Sequence, residues 1–108
     1  MPRKIFDREL ADLIGEMTKM GADVGQRIDE TITALRTLDL DKADRIANSD
    51  DEIDRTEHRI EKVCMNLIAM QQPVASDLRM IAACLKILTD IERVADQCAD
   101  ICDILTVS

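Results

Sequence analysis

Asp50 and Asp54 stand four residues apart, and so do Glu92 and Asp96. On a helix, residues at i and i+4 share a face, about 6 Å apart. Each pair therefore presents two carboxylates side by side. Asp51, Glu57 and Glu61 add charge near the first pair, and Asp90 and Asp100 near the second. Crowded carboxylates repel, and the repulsion is relieved by raised pKa values, by neighbouring Arg, or by a multivalent cation. A set of oxygen ligands suits hard ions such as Mg, Ca, Mn and iron. The competing reading is a solvated acidic stripe, partly neutralised by Arg55, Arg59, Lys62 and Arg93. Periodicity alone leaves both open.

The remaining chemistry is sparse. The single histidine, His58, falls about 40° round the helix from Asp54 and either joins that stripe or borders it. Cys64, Cys84, Cys98 and Cys102 contain no C-x-x-C pair, so zinc-ribbon spacing is absent. Their plain reading is four small buried hydrophobes. With no nucleophile–base pair, no Gly-rich phosphate loop and one His, no catalytic residue is assigned and an enzyme is not expected.

The elements that must carry these acids are helices. The composition is 46% hydrophobic, yet Phe6 is the only aromatic, and Gly and Pro number three and two. Leu, Ile, Val, Met and Ala fill helix–helix cores, whereas sandwiches and barrels need aromatics and many turn residues. Phe6, Leu10, Leu13, Met17, Met20, Val24, Ile28, Leu35 and Leu38 trace one helical face. Gly21 and Gly25 interrupt it, in a spacing that suits close approach of a neighbouring helix. Asp39 or Asp41 offers an N-cap for the next helix. That helix carries Ala43, then Ile46, Ile53, Ile60 and Leu67 at sevenfold spacing. Pro73 ends it and can open a third, whose face is Leu78, Ile81, Leu85, Leu88, Ile91, Ala95, Cys98, Cys102 and Leu105.

The predicted fold is therefore all-α, an antiparallel three-helix bundle with helices over about 5–37, 41–71 and 74–106, forming a single domain over 1–108. With Pro73 as the pivot of the second hairpin, Asp54 falls level with Glu92 and Asp50 level with Asp96. All four flank the hydrophobic seam. So elongated a bundle leaves much flank surface, which favours self-association.

The net charge of −8 argues against nucleic acid as a partner and against capture of free phosphate by side chains without a bridging metal. The N-terminal Met1-Pro2-Arg3-Lys4 leads into no apolar h-region, and no uncharged run reaches the ~18–20 residues of a membrane span. The expectation is a cytoplasmic chain without direct membrane insertion.

Three blocks resemble one family. Asp50-x-x-Ile53-Asp54-x-x-Glu57-x-x-Ile60-Glu61-x-x-Cys64 is followed by Gln71-Gln72-Pro73-Val74-Ala75-x-Asp77-Leu78-Arg79, then by Thr89-Asp90-Ile91-Glu92-Arg93-Val94-Ala95-Asp96. In this order and spacing they are similar to the PhoU repeat, as are Phe6-Asp7-Arg8-Glu9-Leu10 and Met20-Gly21. The likeness spans essentially the whole chain. It implies a negative regulator of phosphate uptake and phosphate homeostasis, a partner of the Pst transporter ATPase and of a PhoR-type sensor kinase. It also implies a surface metal site on Asp50, Asp54, Glu92 and Asp96, holding a divalent or trivalent ion such as iron, Mg, Mn, Ca or Zn. The family carries two repeats in about twice this length. The chain resembles the N-terminal one, as either a single-repeat protein or a truncated form, and in the former a homodimer would replace the second half. Ala95 stands where the family often has Gly. The alternative to a phosphate-signalling role is a metal-binding module, or a purely structural helical oligomerisation module.

Overall fold

A computed structural model describes residues 3–71 and 73–107, with side chains for all of these except Asp50, Met70 and Gln71. Three long helices, α1 (Arg3–Thr37), α3 (Asp50–Gln71) and α4 (Ala75–Val107), pack with one short helix, α2 (Leu40–Ala47). The described residues contain no strand. The molecule is 54 Å long and 17–18 Å across. A 35-residue helix rises about 52 Å at 1.5 Å per residue, so α1 alone spans nearly the full length.

The contacts fix which levels meet. Arg3 at the start of α1 pairs with Asp77 at the start of α4, and Cys102 meets Thr31 near the far end. The two helices keep step. Along α3 the order is reversed: Asp54 meets Glu92 and Asp96, while Cys64 lies in the field of Cys84.

One core runs down the bundle. It takes Phe6, Leu10, Leu13, Met17, Met20 and Val24 from α1, Ile53, Ile60, Cys64 and Leu67 from α3, and Ile81, Cys84, Leu88 and Ala95 from α4. A second cluster, Ala34, Ala43, Ile46, Cys98 and Cys102, packs α2 against α1 and α4. Ile46, Ile53, Ile60 and Leu67 are all buried, so the sevenfold seam holds. All four cysteines are free and buried. Burial pushes the Cys64 thiol up to about 11 and raises that of Cys84. Neither forms a ready thiolate.

Four expectations change. The helix predicted over 41–71 is broken at Asn48 and Ser49. Asn48 donates from its backbone N–H to Asp44 O at 3.2 Å and from its side chain to the same oxygen at 2.8 Å. Ser49 turns its hydroxyl back to Ile46 O at 2.7 Å. Short polar side chains that bond nearby backbone compete with the helix ladder, and here they end α2.

Ile28, Leu35 and Leu38, predicted core, are exposed, and Thr31 and Ala34 are buried instead. The cause is α2. Its Ala43 and Ile46 press against this end of α1, and both Ala34 and Ala43 are fully buried. Small side chains let the helices close, and the larger ones a residue further on turn outward.

Leu78 is exposed while Asp77 is buried. The series Ile81, Cys84, Leu88, Ile91, Ala95 extrapolates back by four to Asp77, and Arg3 supplies the counter-charge across the seam. That guanidinium holds the Asp77 carboxyl below the usual carboxylate range.

The Gly21–Gly25 pair does not mediate close helix approach within this chain. A Cβ on Gly21 would make ordinary contact with Ile91 at 3.7 Å, and one on Gly25 would meet nothing within 4 Å.

The turn after α1 follows the cap chemistry. Asp39 N donates to Ala34 O at 3.1 Å, the 6→1 bond of a Schellman motif, with Leu38 in the left-handed region at φ 53°. Asp39 then caps α2, accepting from Lys42 N at 3.0 Å. Of the two N-cap candidates, Asp41 falls inside the first turn.

Candidate cation site on the α3–α4 flank

Asp54 projects from the second turn of α3, directly after buried Ile53. Glu92 and Asp96 project from α4, next to half-buried Ile91 and buried Ala95. Each acid follows a seam residue by one position, about 100° round the helix. The helix–helix crevice is thus edged with carboxylates rather than filled by them.

One carboxylate oxygen from each of Asp54, Glu92 and Asp96 lies within 4.8 Å of the others, and all three residues are half-buried. The side chain of Asp50, the fourth predicted ligand, lies outside the described residues. Glu57 was read only as added charge, yet it faces the same flank. Its carboxyl is raised above the ordinary range, first by burial and then by Asp54, Glu61 and Asp96, with His58 acting the other way. Its position three residues after Asp54 is the signal that could have found it, since i and i+3 also share a face.

Glu92 carries the largest perturbation. A hydrogen bond with Asp96, which needs a proton between the two carboxyls, pushes Glu92 up to about 7. Burial and the charges of Asp96, Glu57 and Asp54 act in the same direction. The cations named as neutralisers form no ion pair with the cluster. Arg59 pairs with Glu16 on α1, and among the described residues no Lys or Arg forms an ion pair with Asp54, Glu57, Glu92 or Asp96. Asp90, by contrast, is paired with Lys86 at 2.9 Å.

These donors fit a hard cation. They are oxygen ligands, half-shielded from water, and Glu92 and neighbouring Glu57 are raised toward the neutral form, the first by its hydrogen bond with Asp96 and the second by burial. A cation at the centre would replace the shared proton and favour the ionised state of every member. Glu57, His58 and Glu61 form a neighbouring, more exposed group within the same 4.8 Å limit. His58 therefore borders the Asp54 set through Glu57. Zinc and iron accept imidazole, so this second group differs in character from the all-carboxylate one.

The PhoU domain model matches residues 17–105. A "Phosphate-specific transport system accessory protein PhoU homolog" from Clostridium acetobutylicum is 43% identical over 102 residues, which cover 94% of this chain and 47% of the relative. The homolog of that name from Aquifex aeolicus is 37% identical over 100 residues, covering 93% and 45%. The "Phosphate-specific transport system accessory protein PhoU" of Escherichia coli is 34% identical over 97 residues, covering 90% and 40%. The chain thus spans somewhat under half the length of these relatives. No solved structure matches it.

Proposed function

The chain belongs to the PhoU family, and from that premise we propose that it regulates phosphate uptake and the phosphate-starvation response by protein–protein contact. The partners in this reading are the Pst transporter ATPase and a PhoR-type sensor kinase. The relatives are named as accessory proteins of phosphate-specific transport, which supports a non-enzymatic role. The described residues contain no helix long and apolar enough to cross a membrane. In this reading the chain works in the cytoplasm, docked on a membrane complex through another protein.

The observation that carries the mechanistic part is the meeting of Asp54 with Glu92 and Asp96. In this reading α3 and α4 form an antiparallel hairpin clamped by a cation on its flank, with Asp50 as a further ligand. The ion would set the spacing of the two helices and thereby the surface offered to a partner. Hard ions, Mg, Mn, Ca or iron, suit the oxygen set best.

The test is recovery of partners from a phosphate-replete lysate on the immobilised chain, with and without chelator. Capture of the transporter ATPase or the sensor kinase, weakened by chelation and by Asp54→Asn, supports the proposal. Capture of neither, with phosphate-starvation genes unchanged on deletion, would exclude it.

A second reading has its own observation. Ile28, Ile32 and Leu35 form an exposed apolar run on α1, between 38% and 47% accessible. Such a run favours burial against another bundle, and in this reading a second copy of the chain supplies it as a homodimer. Sedimentation showing a dimer indifferent to phosphate, cation and transporter would favour a structural assembly module over the regulator.

A further inference from the structure

Each pair of long helices leaves a flank, and the three flanks differ in charge. The α3–α4 flank carries the carboxylates of Asp54, Glu92 and Asp96, and the α1–α3 flank carries Glu16, Asp23, Glu30, Glu52 and Arg59. The α1–α4 flank is apolar. On α1 it shows Ile14, Thr18, Gly21, Gly25, Ile28 and Ile32, in alternating steps of four and three, the spacing of a coiled-coil seam. On α4 it shows Met80, Ile87, Val94 and Ile101, at steps of seven. Gly21 lies toward Ile91, so the α1 stripe is on the α4 side. Glu92 and Asp96 meet α3, so the α4 stripe, on the other side of that helix, lies beside α1. Neither stripe is covered by this chain: Ile14, Ile28, Ile32, Met80, Ile87 and Ile101 are each between 38% and 50% exposed.

The two stripes share a midpoint. Thr31 of α1 lies against Cys102 of α4, 71 positions later. The α1 stripe from Ile14 to Ile32 is centred between Gly21 and Gly25, and the α4 stripe from Ile87 to Ile101 is centred on Val94. Val94 stands at that same offset from the α1 midpoint, so both centres lie at one height. A two-fold axis crossing both helices there lays the flank on an antiparallel copy of itself. Ile14 comes level with Ile32 of the copy, Thr18 with Ile28, Gly21 with Gly25, and Ile87 with Ile101. A Cβ at Gly25 would meet nothing in its own chain within 4 Å, so the two α1 helices can close at the centre while isoleucines fill the ends. Asp90, which edges the α4 stripe and pairs with Lys86 at 2.9 Å, comes level with Gln97 of the copy, whose amide can donate to it. The size also suits a dimer. From the level of Met80 to Leu35 the flank rises about 40 Å on a molecule 17–18 Å across. That footprint is on the order of 700 Å² before side-chain relief is counted, against about 800 Å² per partner in a standard stable interface.

We propose that the α1–α4 flank is a self-complementary seam on which a second copy of the chain packs antiparallel, about a two-fold axis at Val94. The proposal rests on the self-association reading above and gives it a surface and a register. A single axis closes the assembly at two chains, because each flank is covered by the other. Each α4 lies over the other α4, so both acidic flanks fall on one edge of the dimer, clear of the seam.

The experiment is sedimentation of the chain, joined to cross-linking of cysteine variants. The unsubstituted chain sediments as a dimer. Ile28→Glu and Ile87→Glu, at positions exposed in the single chain, keep the helical circular dichroism and weaken dimerisation by about a hundredfold or more, since each places its charge twice in an apolar seam. Asp54→Asn and chelator leave dimerisation unchanged. A short bis-maleimide joins an equal mixture of Ile14→Cys and Ile32→Cys but joins neither variant to itself, because like positions stand about 27 Å apart along the axis. The four native cysteines are buried, and the unsubstituted chain is the control. A chain that stays monomeric at the highest concentration reached overturns the proposal together with the self-association reading, and leaves the seam to a different protein. A dimer that ignores either charge, depends on a cation, or cross-links one variant to itself overturns the proposal alone.

Discussion

Arg59 of α3 pairs with Glu16 of α1 and leaves the carboxylates of its own helix without it. The pair ties α3 to α1 on one side, while Asp54 faces α4 on the other. Arg55, Lys62 and Arg93 form no ion pair either, so among the described residues Asp54, Glu57, Glu92 and Asp96 have no Lys or Arg partner. A cluster left in that condition gains from any multivalent cation, and the first prediction follows from it.

Mn²⁺ or Ca²⁺ raises the melting temperature of the chelator-treated protein. At a hundredfold excess over the dissociation constant the gain is about 2.7 kcal/mol, or roughly 4–8 °C per kcal/mol for a domain of this size. Asp54→Asn and Glu92→Gln each remove most of the rise. Scanning calorimetry with elemental analysis decides the matter, and an equal rise in both variants would place the ion elsewhere.

Without added cation, stability falls as pH rises through the Glu92 titration. The folded-state pKa of about 7 lies above the unfolded value near 4.5. The folded chain therefore holds more protons across that window, and proton loss costs it stability. The penalty is fully present above pH 7. Glu92→Gln removes it, gaining on the order of 1 kcal/mol at pH 8, since solvent screens a half-buried cluster. Denaturant midpoints at pH 5 and pH 8 measure both. Cation affinity runs the other way, strengthening toward pH 8 as the shared proton leaves.

Leu38→Gly stabilises the chain by about 0.5–1 kcal/mol. A left-handed conformation costs an L-residue roughly 1–2 kcal/mol, and glycine returns part of that as chain entropy. Leu38 is 69% exposed at φ 53°, so little burial is lost with its side chain. Urea unfolding with an unchanged slope is the check.

Gly25→Ala also stabilises the isolated chain, by about 1 kcal/mol, because alanine is the better helix former and a Cβ there meets nothing within 4 Å. Loss of self-association in the same variant would show that another chain uses the space Gly25 leaves open. Thermal unfolding and sedimentation of one sample report both effects.

The sequence by itself determined the helices and most of what they bury. Apolar residues at steps of three, four and seven admit one periodicity, and Ile46, Ile53, Ile60 and Leu67 lie inside as that spacing requires. The sequence also put Asp54 level with Glu92, since rise per residue is constant and Pro73 marks the turn, whereas the approach of Asp96 to Asp54, rather than to Asp50 alone, was not in that reading.

Only the tertiary structure decided which of two adjacent stripes faces inward. Ile28, Leu35 and Leu38 lost to Thr31 and Ala34 because α2 demands small neighbours at that end, a constraint written on a different segment. Asp77 displaced Leu78 for a like reason, through Arg3, 74 residues away. The break at Asn48 and Ser49 arises from local hydrogen bonding that hydrophobic spacing does not encode. Periodicity is a property of one helix, whereas burial and charge compensation belong to pairs of helices.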